Sequence, residues 1–287
     1  MSGYLEVAYP ESRSDIYQSD VNVGDENDPR SIVLNYVHDG AYVLDAGCAC
    51  GDLGVALKRY KQATIVGMEH DSGAIALALT KDAYEEIHQV DLNNFDSMFF
   101  EQYYGKFDYI VFGDVLEHLY EPHIALDKFK GLLKPTGSFL ISFPNTSHAS
   151  IKLNLLINDW TYTDAGLLDK THIRFFTYKS IASFLADMEL QIDDMQYTSF
   201  NKKGVQPSMP WKNLPYFVSV FVYSDPASFV WQYVVKATRS PSFIPRTHLF
   251  ESNLSKLRIK WSLATKSLKA NMRKAAFIAP LICSLRS

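Results

Sequence analysis

The chain has 287 residues, 47% of them hydrophobic, enough to bury one full core together with an appendage. Three cysteines (Cys48, Cys50, Cys283) make no disulfide framework and suit a reducing, cytoplasmic setting; no apolar run has the form of a secretory leader or approaches the ~20 residues of a membrane span. The net charge of −4 is unevenly placed, with eleven Lys and Arg against the single acid Glu251 over 236–287 and an acidic body before it. This is not the profile of a general nucleic-acid enzyme, whose basic surface would surround the active site, and leaves a nucleic-acid substrate as the weaker option.

Residues 1–27 are polar and Tyr-rich, and Tyr4, Tyr9 and Tyr17 suit either a lid or an ordered surface arm. Pro29 opens a short helical pattern through Ile32, Val33, Tyr36 and Val37 that Asp39-Gly40 ends. The stretch 41–54, AYVLDAGCACGDLG, runs from an apolar strand through Asp45 into a turn carrying Gly47, Gly51 and Gly54, and on into a helix to about Tyr60. In that geometry backbone N–H groups at a helix N-terminus face a ligand. It is not the dinucleotide fingerprint G-x-G-x-x-G, because Ala49 interrupts it.

Beyond the turn the pattern alternates, with strands over 63–69, 86–92, 107–114 and 137–143 and helices over 72–80, 96–103 and from Pro122 to near Gly131. Alternation of this kind predicts a parallel sheet with helices on both faces and ligands along one edge of strand ends. A longer insert over 144–176 precedes a helix over 179–188, and 190–200 and 229–239 read as two closing strands. The composition turns basic after Ser240, dividing a body of 1–240 from a tail of 241–287. In the tail Leu254, Leu257, Trp261, Ala264 and Leu268 recur at steps of three or four among lysines, a basic amphipathic helix suited to an anionic membrane face or a protein partner.

The glycine turn resembles motif I of the class I S-adenosylmethionine (SAM) methyltransferases, D-x-G-C-G-x-G, through Asp45, Gly47, Cys48 and Gly51. Ala49 stands at a family glycine; if that position needs a positive φ, alanine costs roughly 1 kcal/mol there. The resemblance implies a Rossmann-like seven-stranded sheet, mostly parallel with an antiparallel closing hairpin, SAM as cofactor and S-adenosylhomocysteine as product. It also implies cofactor contacts from Glu69 (ribose hydroxyls) with His70, from Asp91 (adenine) with Leu92, and from Gly113 and Asp114 at the fourth strand end.

Residues 114–119, Asp-Val-Leu-Glu-His-Leu, resemble the D-V-L-E-H-L stretch of small-molecule methyltransferases. Asp114, Glu117 and His118 would share one face of a helix. Three readings stay open: His118 as a general base aided by Glu117, a divalent ion on the cluster as in the E-x-x-E-H stretch of ubiquinone-type O-methyltransferases, or a capping Asp with a hydrogen-bonded His. Residues 166–177, GLLDKTHIRFFT, resemble the G-L-L-D-R-T-H-L-R-F-F-T signature of a subgroup associated with saccharide and surface-glycan biosynthesis, which makes His172 a second candidate base. Asp169, Lys170 and Arg174 then either line an acceptor pocket or hold the insert together.

The expectation is therefore a cytoplasmic SAM-dependent methyltransferase, associated with the inner membrane face through its tail. It would O-methylate a small or glycan-like acceptor, with His118 or His172 as base and Glu117 assisting. A catalytically impaired SAM-binding scaffold and N-methylation of an aminosugar are the alternatives.

Overall fold

The computed structural model describes residues 19–94, 98–199 and 216–239. The arm 1–18 and the basic tail 241–287, with its expected amphipathic helix, lie outside the described residues. In chain order the elements are α1 (Pro29–Tyr36), β1 (Tyr42–Ala46), α2 (Asp52–Lys61), β2 (Thr64–Glu69), α3 (Ser72–Thr80), β3 (Glu86–Gln89), α4 (Met98–Tyr103) and β4 (Phe107–Phe112). A 3₁₀ turn (Leu116–His118), α5 (Pro122–Lys130), β5 (Leu133–Pro144), α6 (Ala149–Leu156), α7 (Tyr178–Asp187) and β6 (Leu190–Thr198) follow, then α8 (Tyr216–Tyr223), a second 3₁₀ turn (Pro226–Phe229) and β7 (Gln232–Arg239).

The strands form one sheet in the order β3-β2-β1-β4-β5-β7-β6, parallel throughout except that β7 runs antiparallel to both β5 and β6. β1 and β4 are neighbours although their crossovers lead to opposite sides, so the strand order reverses between them. A crevice opens outside the carboxyl ends of the strands at such a reversal. Strands buried on both faces must be apolar at successive positions, not alternate ones. Val43 and Leu44 of β1 show this, packing into separate clusters on opposite faces of the sheet. One cluster takes Ile32 and Val33 of α1 with Leu53 and Leu57 of α2. The other takes Leu126 and Phe129 of α5 with Ile181 and Leu185 of α7.

The helix starts are set locally. Asp28 caps α1 ahead of Pro29, Asp71 accepts the amides of Gly73 and Ala74 at 2.7 and 3.0 Å, and Thr177 and Ser180 close a capping box on α7. β5 starts four residues before the expected 137, and the last strand begins at Gln232 because Pro226–Phe229 coils into a 3₁₀ turn. The expected helical face joining Asp114, Glu117 and His118 does not form. Asp114 has φ of +56°, which cannot open a right-handed helix, and only Leu116–His118 coil.

Tyr84, between α3 and β3, lies under three glycines. An added Cβ would stand 3.0 Å from its ring at Gly51 and Gly67, and 2.5 Å from its Cε2 and hydroxyl at Gly54. Gly54 lies inside α2, where alanine ordinarily gains about 1 kcal/mol of helix propensity. Here overpacking against Tyr84 reverses the sign. Gly54→Ala is expected to destabilise the protein by roughly 1–3 kcal/mol in urea unfolding; a gain in stability would show that Tyr84 does not fill this space.

Candidate active site

The turn after β1 is built on left-handed backbone. Gly47, Ala49 and Gly51 have φ of +83°, +46° and +82°, and Gly51 begins α2 with no side-chain cap. Ala49 thus adopts the conformation that the family glycine would adopt freely. Asp45 ends β1 inside the core at 3% exposure and accepts the Tyr84 hydroxyl at 2.8 Å. Burial pushes its carboxyl up to about 6, a rise that the Tyr84 bond opposes and the Glu69 charge reinforces. Cys48 is buried; its burial and the charges of Asp45 and Glu69 push its thiol up, which makes it a packing residue and a poor nucleophile.

Glu69 faces this turn from the end of β2. Its Oε1 accepts the amides of His70 and Asp71 at 2.7 and 3.0 Å and lies 2.8 Å from His70 Nδ1, while Oε2 accepts the Ala49 amide at 2.9 Å. Burial alone would raise this carboxyl, but those hydrogen bonds hold it below the ordinary range. It is a fixed anion. A carboxylate oxygen has two lone-pair directions, so Oε2 keeps acceptor capacity on the open side of the turn. Asp91 lies two residues past β3 in a turn and accepts the Asn93 amide at 2.9 Å; Leu92 packs against the core, and His70 is exposed beside Glu69. At the end of β4 a Cβ added to Gly113 would meet nothing within 4 Å. The structure therefore brings Asp45, Gly47, Cys48, Gly51, Glu69, His70, Asp91, Leu92, Gly113 and Asp114 to one edge of the sheet.

Asp114 does not share a helical face with Glu117 and His118. Its amide donates to Ser142 Oγ at 2.8 Å, Ser142 Oγ donates back to Oδ1 at 2.6 Å, and Gln232 Nε2 reaches both carboxylate oxygens at 2.8 Å. These partners come from β5 and β7, and no motif in the sequence marks Ser142 or Gln232 for the role.

Glu117 and His118 instead meet the insert. The Glu117 carbonyl accepts the amides of Ile173 and Arg174 at 2.9 and 3.0 Å, and His118 Nδ1 lies 3.1 Å from the Thr171 carbonyl. These bonds set His172 beside the 3₁₀ turn. Its ring meets that of His118 edge-on at 4.8 Å between centroids, and its Nε2 lies 4.0 Å from Glu117 Oε1. A carbonyl can only accept, so His118 Nδ1 carries the proton and Nε2 is the basic nitrogen. Burial followed by the neighbouring His118 lowers the proton affinity of His172, against the opposing charges of Asp169 and Asp114. Glu117 is 1% exposed, and neither carboxyl oxygen has a partner in hydrogen-bond geometry. Burial and then the Asp114 charge push it well above the usual carboxylate range.

The other insert residues hold the loop. Asp169 accepts the Thr171 amide and hydroxyl at 2.9 and 2.7 Å, Lys170 pairs with exposed Asp164 at 2.8 Å, and Arg174 donates to the Tyr120 carbonyl.

A seven-stranded sheet of this order, with a glycine turn and a strand-end acid at its reversal point, defines a class I SAM-dependent methyltransferase fold. Residues 27–194, more than half of the chain, match the family model described as a methyltransferase domain, and the chain belongs to that family. The mitochondrial ubiquinone biosynthesis O-methyltransferase of Dictyostelium discoideum is 25% identical over 173 residues, 57% of this chain and 54% of that protein. The ubiquinone biosynthesis O-methyltransferase of Xanthomonas campestris is 29% identical over 180 residues, 61% and 69% of the two chains. The match thus spans about half the length of the first relative and about two thirds of the second. Among solved structures, the complex of the Haloferax volcanii Trm112 methyltransferase activator with a methyltransferase aligns at a TM-score of 0.51 and 14% identity, covering 77% of this chain and 92% of that one. A SAM-dependent methyltransferase from Thermotoga maritima aligns at 0.50 and 10%, covering 74% and 88%. At these identities the two structures show the fold alone.

The strand-end groups fit SAM. Glu69 places a fixed carboxylate beside the turn and Gly113 leaves space at the fourth strand end, while the amides of Gly47, Cys48, Ala49 and Gly51 donate within the protein, to Met68, Glu69 and Cys48. Among the described residues no helix is long and apolar enough to cross a membrane.

Two tests follow from the turn. Ala49→Gly relieves the left-handed alanine and is expected to stabilise the protein by about 1 kcal/mol in chemical denaturation; destabilisation would mean that the methyl group contributes packing that offsets the strain. Asp45 gives a pH test. Its pKa is higher folded (about 6) than unfolded (3.8), so folding takes up protons between those values and the carboxylate's burial cost grows as pH rises through them. Asp45→Asn lacks that cost. Its stability relative to the parent protein should climb by up to about 3 kcal/mol between pH 4 and 6 and then level off; a flat difference would show that Asp45 is not the group titrating.

Proposed function

We propose that the chain transfers the methyl group of SAM to a hydroxyl of a small-molecule acceptor, with saccharides and saccharide-linked molecules as its substrate class. The observation that carries this reading is the meeting of one carboxyl group and two imidazoles beside the end of β4, next to the strand ends that fit SAM. Bound there, SAM supplies a methyl group already activated on a sulfonium sulfur. What remains for the protein is to align the acceptor oxygen and take up its proton. Asp45 and Tyr84 fix the turn, Glu69 offers an acceptor to the ribose, and the buried position of Glu117 and His172 excludes water. In the ion-free protein His118 or His172 takes the hydroxyl proton. The O-methyltransferase relatives support transfer to oxygen, and the GLLDKTHIRFFT stretch supports the saccharide class.

Calorimetry with SAM and S-adenosylhomocysteine tests the first half, since no measurable binding of either would sink the enzyme reading. For the second half, S-adenosylhomocysteine release is followed with sugars, nucleotide sugars and dihydroxyaromatic compounds. His118→Ala and His172→Ala are each expected to retain SAM binding, and loss of the acting base should lower kcat by about 10²–10⁴-fold. Full turnover by both variants would remove the base from the mechanism and favour an amine acceptor. Turnover restricted to dihydroxyaromatics would overturn the saccharide class.

A further inference from the structure

One reading of the sequence puts a divalent ion on the residues at 114, 117 and 118, and the geometry does not fit that set. Asp114 is held by Ser142 and by Gln232, which donates to both of its oxygens, and its left-handed backbone keeps it off a helical face shared with Glu117 and His118. A different set is assembled. Glu117, His118 and His172 bring one ligand atom each to within 4.8 Å of one another.

We propose that Glu117, His118 and His172 form a transition-metal site of two imidazoles and one carboxylate, selective for a borderline cation such as Zn²⁺, Co²⁺ or Fe²⁺ over Mg²⁺. Four observations support it. Glu117 is buried with both carboxyl oxygens lacking partners in hydrogen-bond geometry, a costly arrangement for which a cation supplies the missing charge. His118 is oriented from behind by the Thr171 carbonyl, as metal-ligating histidines are, and the insert sets the His172 ring edge-on against it. The carboxylates of Asp114 and Asp169 lie close enough to act on Glu117, so the surroundings are anionic. Ligand atoms around an ion with bonds of about 2.1 Å stand about 3.0–3.4 Å apart, a closure of about 1–2 Å from the present arrangement, within reach of side-chain torsions.

The donor set decides the metal class. Mg²⁺ and Ca²⁺ take oxygen ligands, whereas two imidazoles with one carboxylate suit zinc and the later first-row metals. His172, which comes from the insert, is what changes the preference. Ion binding stands independently of methyl transfer; only its relevance to the acceptor rests on the proposed function. With an ion in place both imidazoles are ligands, so proton uptake by them belongs to the ion-free protein.

The test uses the full chain stripped with EDTA and titrated calorimetrically with Zn²⁺, Co²⁺ and Mg²⁺. One Zn²⁺ or Co²⁺ per chain is expected, with Mg²⁺ at least about 100-fold weaker and with Glu117→Gln and His172→Gln each weakening Zn²⁺ by at least about tenfold. Should either variant fail to fold, X-ray absorption of the parent protein's Zn²⁺ complex counts the ligands, and two imidazoles are expected. Absence of ion binding, Mg²⁺ bound as tightly as Zn²⁺, His172→Gln with undiminished affinity, or a spectrum without two imidazoles would each overturn the site. SAM titrations on the same preparations separate the two proposals. SAM binding without ion binding overturns only the metal site, and ion binding without SAM binding overturns only the proposed function.

Discussion

The hydrogen bond from Tyr84 to Asp45 is the constraint on which the cofactor edge depends. A buried carboxyl without a donor would be costly, and this donor comes from the segment between α3 and β3, two crossovers away in the chain. Fitting the phenol ring under the turn requires Gly51, Gly54 and Gly67 to lack side chains, since each would crowd it. Two of the glycines that mark this stretch as a nucleotide site are therefore also packing residues. Gly47 differs, because its missing Cβ makes room for Val115, 2.5 Å from where the Cβ would stand, and so couples the turn to the end of β4.

That coupling matters because the end of β4 is itself held in an unfavourable conformation. A left-handed Asp114 is tolerated because bonds with Ser142 and Gln232 over-determine it. Gln232 is the first residue of β7, so the antiparallel pair that closes the sheet reaches into the site. Without this anchor the chain could continue from β4 into a helix and carry Asp114 onto the same face as Glu117 and His118. The left-handed backbone at Asp114 is what keeps the three residues off one helical face.

The parts of the fold visible in the sequence are those with local causes. The helix over 72–80 appears with the expected bounds because Asp71 caps it and its alanine-rich face is continuous. The parallel strands are legible as apolar runs between glycine and proline punctuation. The placement of the motif residues along one edge of the sheet is legible because motif spacing reflects strand-end geometry. The roles of Tyr84, Ser142 and Gln232 are not visible, since each contact joins residues distant in sequence and none of the three types is distinctive. The helical reading of 114–118 fails for the same reason: spacing of i, i+3, i+4 reports a shared face only if the backbone is helical, and a tertiary network decides that it is not. Ala49 is the converse case. Its mismatch to the family glycine marks a strained position in the sequence, and the backbone there is indeed left-handed.

The insert then completes what β4 begins. Three bonds from residues 171, 173 and 174 clamp it to the 3₁₀ turn, and Arg174 also donates to the Tyr120 carbonyl. Tyr120 in turn gives its amide to Asn93 Oδ1 at 2.8 Å, and Asn93 gives its own to Asp91. A continuous chain of hydrogen bonds thus runs from the acid expected near adenine, through the segment after β4, to the loop that carries His172. Asp91 and the insert are the two ends of one polar chain, and displacement at either end is opposed by contacts already present.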